Sequence, residues 1–166
     1  MSKSWLPIMA LAAFAALVSH PAGAQTGALH ARSSQAAAKI ARPAAIRQKF
    51  TCLEDAFTMC LNGGRFEVVA TFDTGRGDSG SAEMVRLTDD SGYMWFFNST
   101  NIEVVIKVLN ACALNNEYWV FAGGLTNVHV MITVTDSITG AFVQYVNPFD
   151  TTFQPIQDTS ALAVCP

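Results

Sequence analysis

The sequence is short of charge. Only 14% of its 166 residues are Asp, Glu, Lys or Arg, and three are histidine. Nucleic-acid binding needs a dense basic face with interleaved aromatics, and no such face is present. No segment after the first twenty residues has the apolar length of a membrane span. Closely paired C-x2-4-C ligands, the usual zinc signature, are missing. So are a glycine-rich phosphate loop, a haem motif and the D-x-D-x-D-G spacing of a calcium loop. No metal or cofactor is predicted. Long helical periodicity is also lacking, which argues against a helical core.

What is present begins with an export signal. Lys3 precedes an apolar run from Leu6 to Val18, and Ala22-Gly23-Ala24 forms a small-x-small cleavage pattern. Residues 1–24 are therefore read as a signal peptide, which sends the chain to a secreted or periplasmic location. The cysteines agree. Cys52, Cys60, Cys112 and Cys165 all follow the cleavage site. An even count in an oxidising compartment predicts two disulfides. Three connectivities are open, and positions at element ends favour Cys52–Cys60 and Cys112–Cys165.

Charge divides the remainder. Residues 25–49 carry Arg32, Lys39, Arg42, Arg47 and Lys49 and no acid, whereas all thirteen acids lie in residues 50–166. The first stretch is Ala-, Ser- and Gln-rich. It reads as a flexible basic leader, because it cannot bury enough apolar surface to offset the entropy of ordering. Residues 50–166 have the size of one domain with one core.

That domain alternates short β-rich runs with turn signals. Phe66, Val68, Ala70 and Phe72 repeat with period two, as do Val128, Val130, Ile132 and Val134. Further runs cover 83–87, 93–97, 103–109, 118–121 and 142–146, separated by turns such as Asp89-Asp90-Ser91-Gly92 and Asp136-Ser137-Ile138-Thr139-Gly140. The prediction is all-β: an antiparallel two-sheet sandwich, immunoglobulin-like, of about seven strands. Trp95 and Trp119 are expected between the sheets, and Gly123-Gly124 is expected to mark a bulge or break.

Chemistry-bearing motifs are few. Gly77-Asp78-Ser79-Gly80 matches the serine-protease nucleophile motif. A serine nucleophile needs a histidine base oriented by a carboxylate. His30 is in the leader and His129 lies mid-strand, so no catalytic residue is assigned and the chain is read as non-enzymatic. Arg76-Gly77-Asp78 spells an adhesion tripeptide short enough to arise by chance. Asp73, Asp78, Asp89, Asp90 and Asp136 sit at turns, where local hydrogen bonding already favours Asp. Asn98-Ser99-Thr100 is a glycosylation sequon. The aromatic residues Tyr93, Trp95, Tyr118 and Trp119 are the candidate ligand-binding positions, should they face solvent.

Cys60-Leu61-Asn62-Gly63-Gly64-Arg65-Phe66, Leu87 to Phe97, Tyr118 to Val128 and Val134 to Gly140 together resemble a group of uncharacterised bacterial exported proteins. The likeness covers nearly all of residues 52–166. It implies a bacterial, exported, β-rich chain, and no activity or site residue. The function read from the residues is a secreted binding or accessory module acting on a protein or cell-surface partner. The alternatives are a carbohydrate-binding module with exposed aromatics and, last, a small hydrolase.

Overall fold

The computed structural model describes the backbone of residues 38–42 and, in full, residues 52–166. The expected signal peptide and most of the expected leader lie outside the described residues. Two antiparallel sheets make up the domain, as predicted at that level.

The six-stranded sheet contains β1 (Ala38–Arg42), β2 (Met59–Leu61), β3 (Phe66–Asp73), β4 (Ser79–Ser81), β9 (His129–Asp136) and β10 (Phe142–Asn147). Its order is β1-β10-β9-β3-β2, with β4 paired to β3. The reading of 25–49 as a flexible leader does not anticipate β1, whose backbone pairs in register with β10 from Ala38 opposite Val146 to Arg42 opposite Phe142. The five-stranded sheet contains β5 (Glu83–Arg86), β6 (Ser91–Trp95), β7 (Val104–Ala111), β8 (Glu117–Gly124) and β11 (Ile156–Leu162). Its order is β11-β8-β7-β6-β5. One helical turn, α1 (Cys112–Asn115), joins β7 to β8 and ends on Asn116 at a φ of 62°.

Alternation builds the core. Phe66, Val68 and Ala70 of β3 and Val130, Ile132 and Val134 of β9 face inward from one sheet. Val104, Ile106 and Val108 of β7 and Tyr118, Val120 and Ala122 of β8 face them from the other. Apolar area removed from water in this way stabilises by about 25 cal/mol per Å².

Both predicted disulfides are formed: Cys52–Cys60 with a Cα–Cα distance of 5.8 Å, and Cys112–Cys165 with 5.6 Å. The second ties the C-terminal segment, including β11, to the helical turn after β7. Two disulfides are consistent with an oxidising, extracellular setting. Among the described residues no helix is long and apolar enough to cross a membrane.

Trp95 and Trp119 are a correction. Neither fills the space between the sheets; both are half-buried on the outer face of the five-stranded sheet. In β6 the inward positions are Gly92 and Met94. Gly92 fixes that parity: a Cβ there would sit 2.6 Å from the Val85 carbonyl and collide with Met59. In β8 the inward positions are Tyr118, Val120 and Ala122, with the Tyr118 ring 4.6 Å from that of Phe66. Gly123 is also regular, paired opposite Val105 without a bulge.

Candidate functional site

The two outer faces differ in chemistry. The outward positions of β3 and β9 include Glu67, Thr71, Thr133 and Thr135, and Gln144 of β10 donates to the Thr133 hydroxyl at 3.1 Å. This face is mixed, because Val69, Met131, Phe142 and Val146 also point outward beside the threonines. The outward positions of the five-stranded sheet carry a run of apolar side chains, Val85 on β5, Tyr93 and Trp95 on β6, Val105 and Leu109 on β7, Trp119 and Phe121 on β8, with Glu83, Ser91, Lys107 and Glu117 among them.

Register arranges these residues. Val85 lies opposite Tyr93, Tyr93 opposite Val105, and Val105 opposite Gly123. Lys107 lies opposite Phe121 and Leu109 opposite Trp119. A diagonal apolar stripe therefore runs from Trp95 through Tyr93, Val105 and Phe121 to Trp119. Strand rise gives it a length of about 20 Å along the strands. Gly123 leaves a gap in it. A groove of about 360 Å³ opens there, walled by Leu87, Val105, Phe121, Gly123, Pro155 and Ile156. Val105 is 46% exposed at its edge.

Two polar groups beside the stripe are engaged, whereas Glu117 Oε2 is buried there without a hydrogen-bond partner among the described residues. Lys107 Nζ meets Asp90 Oδ2 at 2.9 Å. Hydrogen bonds from Thr88 and then Lys107 hold the Asp90 carboxyl below its ordinary pKa. The Trp119 indole donates to Asn115 Oδ1 at 2.9 Å. The Trp119 and Phe121 rings meet edge-on, with planes 73° apart.

The four candidate aromatics are thus split. Tyr93, Trp95 and Trp119 share the outer face. Tyr118 is buried at 4% exposure, and its hydroxyl accepts a hydrogen bond from Arg65 Nη1 at 3.0 Å. Tyr118 is a structural residue. Sequence reasoning missed Val105, Phe121 and Gly123, because their grouping depends on register.

Ser79, Asp73 and His129 form a lateral row across β4, β3 and β9: Asp73 pairs with Ser79 on one side and His129 on the other. A serine nucleophile requires the base between it and the acid. Here the acid occupies the middle, and Asp73 Oδ1 accepts from the Gly75 amide at 2.6 Å. The row gives Ser79 no adjacent base. Asp136 is fully buried in an ion pair with Arg65. Among the described residues no three His, Cys, Asp or Glu side chains converge as a metal site would require. Arg76, Gly77 and Asp78 are exposed at the tip of the β3–β4 hairpin.

No family model, no curated protein and no solved structure matches the chain.

Proposed function

We propose that this chain is a secreted, non-enzymatic binding module that docks a protein partner on the outer face of its five-stranded sheet. The observation that carries the reading is the contrast between faces: one sheet mixes threonine and glutamine with apolar residues outward, whereas the other presents an aromatic-rich stripe with a groove at Gly123. Contiguous exposed apolar surface of this kind marks interaction sites, and aromatic residues are enriched in the centres of protein interfaces. A protein side chain of apolar character fits the groove between Val105, Phe121 and Pro155.

A glycan on the same face is the second reading, because three of the four candidate aromatics are outward. Ring geometry weighs against it. Trp119 and Phe121 meet edge-on rather than as a flat platform, and Trp119 spends its one donor on Asn115. The two-sheet architecture supports the immunoglobulin-like comparison in outline, while the consecutive hairpins β5 to β8 set its strand order apart.

The test is site-specific photo-crosslinking in cells that export the chain. A photoreactive residue in place of Val105 should give a protein adduct of discrete mass, and Phe121→Asp should abolish it. The same residue in place of Thr71, on the outer face of the six-stranded sheet, should give none. An adduct at Thr71 with none at Val105 would remove the proposal.

A further inference from the structure

A second cavity lies away from that face, beside the tip of the β3–β4 hairpin. It has a volume of about 430 Å³ and is bordered by Arg76, Asp78, Phe97, Asn127, Phe149 and Asp150. That volume falls in the range of small-molecule sites.

The walls are fixed by packing. Phe97 is 50% exposed, yet its ring is held edge-on by Phe72 at 5.2 Å and Phe96 at 6.0 Å. Phe149 is 51% exposed and lies directly beneath the hairpin. A Cβ on Gly75 would stand 2.6 Å from its Cε2 atom, so only glycine lets the hairpin settle on the ring. Gly75 also has a φ of 66°, which glycine adopts without strain. The hairpin itself is braced by Thr74, whose Oγ1 accepts from the amides of Arg76 and Asp78. On the far side Asn127 Nδ2 donates to Asp150 Oδ1 at 3.3 Å and orients that carboxylate.

The polar groups are left with capacity. Arg76 and Asp78 form no ion pair among the described residues, although both border the same cleft. The cleft thus combines two exposed aromatic rings, two carboxylates, a guanidinium and an amide. An anion would meet Asp78 and Asp150, and a cation would meet Arg76. A neutral polyhydroxyl ring uses every group: carboxylates accept from its hydroxyls, the guanidinium donates to them, and its C–H face lies on a phenyl ring.

From this geometry we infer that the cleft binds a single neutral hexopyranose ring, at a site separate from the sheet face proposed for protein docking. The tripeptide Arg76-Gly77-Asp78 then serves as one wall of a sugar site.

The experiment is an amide-resolved NMR titration of the full protein. The probes are the methyl glycosides of glucose, galactose, mannose and N-acetylglucosamine. At least one should move the signals of Thr74 to Asp78, Asn127 and Asp150 in a saturable way. Asp78→Ala should weaken that binding about tenfold, the loss expected for one charge-assisted hydrogen bond. Asp78 is an exposed hairpin-tip side chain, so this variant tests binding without a folding defect. Val105→Asp, on the sheet face, should bind sugar as the wild type does. The inference fails if none of the glycosides moves those signals, if the shifts map to Tyr93 and Trp119 instead, or if Asp78→Ala and Asp150→Ala both bind unchanged.

Discussion

The Arg65 guanidinium reaches the Asp136 carboxylate at 2.8 Å across 71 positions of sequence, and the Asp136 side chain is completely enclosed. Burial by itself lowers the arginine pKa, but the hydrogen bonds and charges of Asp136 and Tyr118 together outweigh it and the net shift is upward. The same guanidinium donates to the Tyr118 hydroxyl and to the Val164 carbonyl, beside Cys165. Its plane also covers the Tyr118 ring at 4.8 Å. One side chain thereby joins the start of β3, the end of β9, β8 and the C-terminal segment.

Removing Asp136 leaves the largely buried Arg65 charge without its counter-ion, held only by Tyr118 and Val164. Asp136→Ala should cost about 3–5 kcal/mol, a large share of the 5–15 kcal/mol typical of a domain. Asp136→Asn keeps an acceptor for the Thr139 hydroxyl and amide, so its loss should be smaller. Urea unfolding at constant m-value ranks the two. A loss under about 1 kcal/mol for Asp136→Ala would mean the pair contributes little.

The Cys112–Cys165 bridge spans 53 residues. On the loop-entropy account it stabilises by about 4 kcal/mol, and the Cys52–Cys60 bridge by under about 3 kcal/mol. Paired replacement of Cys112 and Cys165 by serine should therefore lower the unfolding midpoint more than paired replacement of Cys52 and Cys60. It should also speed hydrogen exchange in β11 before β3. Equal exchange in both strands would refute a tethering role confined to the C-terminal segment.

Strands β3 and β9 could be read in advance because one face of each is apolar apart from Asp136 and the other is mixed, which fixes both the element and its parity. In β6 and β8 both faces are apolar, and local pattern cannot choose between Met94 and Trp95, or between Tyr118 and Trp119. The choice is made at long range, by Gly92 against Met59 and by Tyr118 against Phe66. Ser79-Gly80-Ser81 and Gln157-Asp158 have no strand signature; they extend because β3 and β8 offer partners. The cleft was hidden for a related reason. Its residues come from four separate loops, and only the tertiary fold brings Asp78 near Asp150.

Parity makes a direct prediction about the aromatics. Tyr118→Ala empties a core position and should cost about 3–5 kcal/mol. Trp95→Ala and Trp119→Ala remove half-buried outward side chains and should cost about 1–2 kcal/mol each, in proportion to the smaller area they withdraw from water. Denaturant unfolding of the three variants gives the comparison. Tryptophan losses as large as that of Tyr118 would place the indoles inside the sandwich after all.

Tyr145 links the sheets and should make stability fall in alkali. Its ring on β10 is 3% exposed, and its hydroxyl donates to Asp158 Oδ2 of β11 at 2.8 Å. Burial, then the hydrogen bond and charge of Asp158, push the phenol pKa far above its ordinary value. In the unfolded chain the same phenol ionises near pH 10. Below that pH both states keep the proton, and the contribution of Tyr145 is complete. Above it the unfolded state releases a proton that the folded state retains, so unfolding becomes more favourable as pH rises. Tyr145→Phe removes this ionisation and should cost about 1–2 kcal/mol at neutral pH through loss of the hydrogen bond. Every other side chain is common to the two proteins, so the difference between the two stability curves isolates position 145. That difference should shrink between roughly pH 10 and pH 12. Curves that stay parallel across this range would show that the Tyr145 hydroxyl ionises as readily in the fold as outside it.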